Sequence, residues 1–170
     1  MAHQPDLAET VKKLVERVQE LEDVRELNRL RSELPRRIND GQWARIGELF
    51  SRSAHLDYQH LGQVTGRAAI QEYFTSLPDL IQQDKPGSQL LVKQFVHGHD
   101  VEVSGDRATG VSYFEERVVF DDESAWVAGR FTDTYVREDG RWLFERIELD
   151  LYWVLPHSEG LVRKTAPEKD

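Results

Sequence analysis

The chain has no cysteine among its 170 residues, which excludes disulfide bonds, thiolate nucleophiles and cysteine-ligated zinc or iron–sulfur centres. It also lacks any apolar run near the roughly 18 residues that a membrane-spanning helix needs. The segment MAHQPDLAET contains no basic stretch followed by an apolar one, so no signal peptide is predicted. These absences predict a cytoplasmic protein with no membrane partner.

An excess of positive charge is lacking as well. The formal net charge is −9, and Arg and Lys alternate with Asp and Glu along the chain. Binding to nucleic acid needs a clustered cationic surface, so no nucleic-acid partner is predicted. The apolar content of 39% and the length are typical of one folded domain with its own core.

Apolar residues recur at steps of three and four from Leu7 to Leu34, which predicts a long helix with one apolar stripe. Pro35 is expected to kink or restart this helix. Residues 1–23 are predicted to form a helical extension that either packs on a partner subunit or lies free. Too few heptads are present to establish a coiled coil.

Beyond the long helix, the hydrophobic period changes from helical to alternating, which predicts an α+β fold with an antiparallel sheet. A bulge is expected at the segment His97-Gly98-His99, and Asp139-Gly140 predicts a hairpin turn. The domain is predicted to cover 24–156, followed by a polar tail over 157–170. The expected elements are helices over 42–50 and 68–76 (the second capped by Thr65), a loop over 77–87, and strands over 56–60, 89–103, 107–120, 125–138 and 141–154.

The order of these elements and four segments carry a family resemblance. The segments are INDGQWARIGELF, HLDYQHLGQVTGRAAI, VEVSGDRATGVSYF and YVREDGRWLFERIELDLYW. Together they resemble the SnoaL-like branch of the NTF2-like superfamily, over roughly residues 24–155, and most of all its scytalone dehydratase and bile-acid dehydratase group. The resemblance implies a cone in which a curved antiparallel sheet wraps around N-terminal helices and encloses a cavity. It also implies catalysis without a cofactor and a homo-oligomer, either a dimer or a trimer.

The resemblance also implies roles for individual positions. Tyr58 stands where the family has a tyrosine that polarises a substrate carbonyl. Asn39 replaces an aspartate, Gln94 and Ser112 replace the two histidines, and Phe131 replaces a pocket asparagine. Only Tyr58 therefore keeps the residue of the dehydratase pattern, and the family's usual base is absent.

Several residues are candidates for the missing base. If Tyr58 and His60 lie on one strand, they share a face, and a neutral imidazole suits proton abstraction. A carboxylate in an apolar cavity is the alternative, because burial raises its pKa toward neutrality. The series Arg146, Glu148 and Asp150 is either a salt-bridged seam or a buried carboxylate set capable of acid–base work. Strand parity also puts Glu116 and Asp133 on the pocket face, where they are the candidate carboxylates of a cyclase or epoxide hydrolase. The predicted site is Tyr58 and His60 as catalytic residues, with Asn39, Gln94, Ser112, Phe114, Phe131 and Glu148 as substrate-binding residues.

A metal site is not predicted. His97 and His99 share a face if the strand is regular, and Asp100 is near, but no third ligand follows at a useful spacing. Both histidines are therefore expected in a surface loop.

The predicted function is that of a cofactor-independent lyase or isomerase. Its partner would be a small hydrophobic polyketide- or steroid-like molecule with a carbonyl or hydroxyl group. Two alternatives stay open. One is a non-catalytic binding or assembly protein that uses the same cavity, and the other is a polyketide cyclase or epoxide hydrolase, which would need a carboxylate in the pocket.

Overall fold

The protein is described here by a computed structural model that covers residues 6–83, 85–87 and 89–158, except for the side chain of His60. The predicted tail over 157–170 therefore lies almost entirely outside the described residues. The helices are α1 (Leu7–Asn39), a 3₁₀ helix (Trp43–Leu49), a short 3₁₀ helix (Gln59–Leu61) and α2 (Arg67–Gln82). The strands are β1 (Phe50–Asp57), β2 (Gln63–Thr65), β3 (Leu91–Ser104), β4 (Arg107–Val119), β5 (Ser124–Glu138) and β6 (Arg141–His157).

Helix α1 is a single element that continues through Pro35, so the restart that was one of the two expectations there does not occur. Asp6 caps its N-terminus by accepting a hydrogen bond from the backbone N–H of Ala8. The apolar side chains before residue 22 are exposed. From Asp23 onward the helix packs on the sheet, because the Asp23 carboxylate accepts hydrogen bonds from Arg137 and from the Trp142 indole. Helix α1 therefore joins the core from Asp23 onward.

Helix α2 runs through Pro78 to Gln82, so the prediction of a helix ending at residue 76 and a loop over 77–87 is wrong. Ile70, Phe74 and Leu77 are buried at steps of four and three, and Ile81 continues the pattern against the core. This packing outweighs the loss of one backbone hydrogen bond at Pro78. The cap residue is Gly66 rather than Thr65.

The six strands form one mixed sheet in the order β2-β1-β6-β5-β4-β3. The prediction of an α+β fold is confirmed, but the sheet is not wholly antiparallel, because β1 pairs with β6 in parallel. Strands β3 to β6 form an antiparallel meander, and the bulge predicted near residue 98 is present between His97 and Asp100.

The β5–β6 ladder has two irregularities, and the one near residue 145 decides which side chains of β6 point inward. Tyr135 pairs with Phe144, whereas Thr134 pairs with Arg146, so one extra residue, Glu145, reverses the alternation. Consequently Trp142 and Phe144 are buried before the bulge, and Ile147 and Leu149 are buried after it. The core therefore takes side chains of both parities from β6, which simple alternation does not predict.

Within the described part of the chain, no helix is long and apolar enough to cross a membrane.

Candidate active site

A cavity of about 250 Å³ lies between the helices and the inner face of the sheet. Among the side chains that the structure describes, its hydrogen-bonding groups, apart from the Trp43 indole, are Tyr58, Gln94 and Glu116. The rest of the lining is apolar and consists of Ile38, Leu61, Leu77, Ile81, Val92, Phe114, Val118, Ala125, Val127, Phe131, Leu149, Leu151 and Val154. An apolar cleft with a few convergent polar groups is the usual form of a small-molecule site.

Glu116 is the cavity's carboxyl group. It lies on β4 directly opposite Gln94 on β3, and the Gln94 amide donates a hydrogen bond of 2.5 Å to Glu116 Oε2. Burial among apolar side chains raises the pKa of Glu116, and the hydrogen bond from Gln94 opposes the rise only in part. The carboxyl group is therefore a stronger base, when ionised, than a solvated glutamate.

Tyr58 supplies the cavity's hydroxyl group. Its ring is buried and packs edge-on against Tyr73 and Phe74, with centroids 6.1 and 5.9 Å away. Burial raises the pKa of Tyr58 far above its ordinary value, so the phenol stays neutral and can donate a hydrogen bond. In the described structure this buried hydroxyl has no hydrogen-bond partner, and it is thus available to an oxygen atom of a ligand.

The premise that placed His60 beside Tyr58 is wrong. Strand β1 ends at Asp57, Tyr58 is the residue before the short 3₁₀ helix, and His60 lies within that helix. Strand alternation therefore does not relate the two side chains. The side chain of His60 lies outside the described part of the structure, so its catalytic role stays a prediction.

Asn39 lies beside the cavity but does not line it. Its amide nitrogen donates to the backbone carbonyl of Gln94 at 2.7 Å, and its amide oxygen accepts from the backbone N–H of Gln94 at 2.6 Å. Both ends of the Asn39 amide are thus committed to one residue of β3. In this position Asn39 fixes the strand that presents Gln94 to Glu116.

The remaining predicted binding residues divide into two groups. Phe114 and Phe131 line the cavity and pack together with ring centroids 4.7 Å apart. Ser112 points to the same inner face of the sheet and is buried, but it does not line the cavity, and its hydroxyl has no partner among the described residues.

The prediction of Glu148 as a cavity residue is wrong. Its neighbours Ile147 and Leu149 point into the core, so Glu148 points to the outer face of β6. There it is about half exposed and accepts a hydrogen bond of 2.6 Å from Arg146. The salt-bridged reading of this series is therefore correct.

A buried polar network that sequence patterns missed lies deeper in the fold. Arg31 is 3.4 Å from both oxygens of Asp133, and the Tyr135 hydroxyl donates to Asp133 Oδ2 at 2.8 Å. His99 Nε2 is 2.9 Å from the Tyr135 hydroxyl, and His99 Nδ1 is 2.9 Å from the side-chain oxygen of Asn28. Arg31 lies on the buried stripe of α1, and that position was the signal available in the sequence.

The expectation that His97 and His99 share a face in a surface loop is wrong. The bulge between His97 and Asp100 turns His99 inward, whereas His97 stays exposed. Burial, with the nearby Arg31 charge, lowers the pKa of His99 to about 4, so its imidazole is neutral near pH 7. Among the described residues, no three His, Asp or Glu side chains are grouped to hold a metal ion.

Comparison with known proteins gives a family and a fold. A family model described as a SnoaL-like domain matches residues 19–148. A solved hexachlorocyclohexane dehydrochlorinase (LinA type 2) superposes with a TM-score of 0.72 at 16% identity, covering 89% of this chain and 99% of that chain. No curated protein matches the sequence.

Two structures from Novosphingobium aromaticivorans are also similar. A protein proposed to be a scytalone dehydratase gives a TM-score of 0.67 at 18% identity, covering 85% of this chain and 97% of that chain. An NTF2-like protein with a cystatin-like fold gives a TM-score of 0.66 at 21% identity, covering 88% of this chain and 92% of that chain. At these identities the superpositions show the fold, which is NTF2-like as predicted.

Proposed function

Because this chain belongs to the SnoaL-like family, we propose that it is a cofactor-independent lyase or isomerase in which Glu116 is the base. The observation that carries the proposal is the pairing of two groups in one apolar cavity. One is a carboxyl group with a raised pKa, and the other is the buried Tyr58 hydroxyl without a protein partner. A general base and a neutral hydrogen-bond donor are the two groups that enolisation of a ketone requires.

The chemistry needs only these groups. The ionised Glu116 carboxylate removes a proton from the carbon α to a carbonyl, and the Tyr58 hydroxyl donates a hydrogen bond to the resulting enolate oxygen. The protonated Glu116 then returns the proton. Delivery to the γ-carbon of a β,γ-unsaturated ketone gives the conjugated isomer, whereas delivery to a β-hydroxyl group releases water as the carbonyl re-forms.

The dimensions of the cavity narrow the substrate class. Its volume of about 250 Å³ is slightly smaller than the roughly 300–1,000 Å³ that is usual for ligand pockets. The aromatic wall made by Phe114 and Phe131 suits a flat ring. We therefore propose a compact, one- or two-ring carbonyl compound rather than a four-ring steroid.

A binding protein without catalysis is the second candidate. The hydrogen bond between Gln94 and Glu116 favours this candidate, because each of the two side chains already has a protein partner and needs none from a substrate. Gln94 and Ser112 also occupy the two positions where the dehydratases that this chain resembles have histidines. Both side chains can form hydrogen bonds, but neither can gain or lose a proton near neutral pH as histidine does.

Two small probes test the proposal with one readout. Cyclohex-3-en-1-one gives cyclohex-2-en-1-one by isomerisation, and 3-hydroxycyclohexan-1-one gives the same product by dehydration, so its ultraviolet absorbance reports either reaction. Glu116→Gln is expected to reduce turnover by about 100-fold or more, in the range usual for loss of a general base. Tyr58→Phe is expected to reduce turnover while the protein still folds.

Two controls accompany these variants. Glu115→Gln removes a carboxylate from the partly exposed face of the same strand and should leave turnover unchanged, and His60→Gln tests the other predicted base. If Glu116→Gln retains activity and His60→Gln loses it, Glu116 is not the base. If the wild-type protein neither converts the probes nor exchanges the α-protons of cyclohexanone in D₂O, yet its melting temperature rises with them, the cavity only binds.

A further inference from the structure

Several buried polar atoms near Phe131 have no partner in the described structure. They are Nε and Nη2 of Arg31, the hydroxyl of Ser112 and the hydroxyl of Tyr58. Arg31 and Ser112 are each 1% exposed, so solvent does not satisfy them. A buried donor left unpaired costs about 1–3 kcal/mol, and such groups in folded proteins are usually met by a ligand, an ion or water.

These atoms surround one aromatic ring. The guanidinium carbon of Arg31 lies 4.0 Å from the centroid of the Phe131 ring. Ser112 is the direct partner of Phe131 in the β4–β5 ladder, and both side chains point to the inner face of the sheet. The ring of Tyr58 is 6.1 Å from that of Phe131 on centroids. Since Phe131 lines the cavity, the group of donors lies next to a wall residue of the candidate active site.

The carboxylate paired with Arg31 leaves much of the guanidinium unused. Asp133 approaches Nη1 alone, at 3.4 Å, which is longer than the 2.7–2.9 Å of a strong charge-assisted bond. Asp133 also accepts a hydrogen bond from Tyr135. Arg31 has no acceptor atom of its own, so an acceptor must come from outside these residues.

We propose that Arg31 and Ser112 form a binding site for a small monovalent anion beside Phe131, next to the cavity. Arg31 supplies charge and two N–H groups, and Ser112 supplies a hydroxyl donor. The anion is either a free halide or the carboxylate group of a ring compound that occupies the cavity. An anion is favoured over a neutral ligand because the unused N–H donors belong to the Arg31 cation. The contact of Arg31 with the Asp133 carboxylate, at 3.4 Å, is long.

The test measures the melting temperature of the full-length protein. Sodium chloride and sodium bromide are compared with sodium gluconate at constant ionic strength, and sodium benzoate is compared with its neutral analogue benzamide. A saturable rise with chloride or bromide assigns the site to a free halide. A rise with benzoate alone assigns it to a carboxylate on a cavity ligand.

Variants locate the site. Ser112→Ala should weaken the apparent affinity for the active anion by about tenfold, the effect usual for a hydrogen bond to a charged group. Ser51→Ala is the matched control, because Ser51 is also 1% exposed with an unpartnered hydroxyl but lies on β1, away from the pairing of Ser112 with Phe131. Arg31→Lys keeps the charge and removes the planar N–H groups. If it does not fold, Ser112→Ala decides the test.

The proposal is overturned if neither halide nor benzoate raises the melting temperature above its gluconate or benzamide control, which would leave water as the partner of these donors. It is also overturned if Ser112→Ala and Ser51→Ala respond alike. The anion site does not depend on catalysis by Glu116. Anion binding should therefore persist in Glu116→Gln, so the two proposals fail separately.

Discussion

Glu116 links the stability of the folded chain to pH through a single side chain. Its pKa is raised in the folded state by burial, so its proton is held more tightly in the folded than in the unfolded chain. The stabilisation that this neutral carboxyl provides is complete below about pH 4, under the ordinary glutamate pKa, and is lost as pH rises through the folded-state pKa.

We therefore predict that Glu116→Gln gains stability relative to the wild type as pH rises above about 4.5. The gain should be about 1.4 kcal/mol for each unit by which the folded-state pKa is raised, and it should level off above that pKa. Urea unfolding of both proteins between pH 4 and pH 8 measures the difference. A difference that is flat with pH, or that has the opposite slope, would show that the carboxyl group is not held in the neutral form.

Gly110 permits the contact between His99 and Tyr135. A Cβ atom at residue 110 would lie 2.5 Å from His99 Nε2 and 3.1 Å from Tyr135 Cε2. We predict that Gly110→Ala destabilises the fold by about 1–3 kcal/mol, the usual effect of overpacking. Displacement of His99 should also bring its pKa up from about 4 toward its ordinary value.

Chemical denaturation checks the loss of stability, and NMR titration of the imidazole checks the pKa. The neighbouring Thr109→Ala is the control, since Thr109 points to the exposed face of β4. An unchanged His99 titration in Gly110→Ala would contradict the packing described above.

At the scale of elements, the sequence predicts regular segments well and irregular ones poorly. Strands β4 and β5 lie within one residue of their predicted bounds, because tight turns delimit them. Tyr58, Gln94, Phe114 and Phe131 line the cavity. Glu148 was wrongly predicted to line the cavity, although the alternation of apolar residues in β6 put it on the outer face. His99 was wrongly predicted to be exposed, because a one-residue bulge reverses the direction of its side chain.

Contacts between distant segments were the other source of error. The parallel pairing of β1 with β6 joins residues about 90 positions apart, and no local sequence pattern predicts it. The same holds for the contact of Arg31 with Asp133, which are 102 positions apart. The predicted helix α2 was too short for a different reason. Proline usually ends a helix, but packing of the residues around Pro78 against the core keeps this one helical.

At the scale of the whole molecule, α1 presents an apolar stripe that the described chain leaves uncovered. The stripe consists of Leu7, Val11, Leu14, Val18 and Leu21, each at least 50% exposed. Their steps of four, three, four and three are the spacing with which two helices pack along a seam. The Lys13–Glu9 and Lys12–Glu16 ion pairs lie on the opposite face of the helix, so they leave the apolar stripe open to a second helix.

We predict that the protein is a homo-oligomer in which this stripe packs against a second copy of the chain. Replacing Val11 and Val18 with glutamine keeps helix propensity and removes two apolar contacts, each worth about 1.5 kcal/mol when fully buried. Light scattering after size exclusion should then show a lower mass, or a larger dissociation constant, than for the wild type. Lys12→Gln with Glu16→Gln changes two exposed residues of the same helix and should keep the wild-type mass. A monomeric wild-type protein at micromolar concentration, or equal masses for all three proteins, would contradict the prediction and leave the stripe to a different partner.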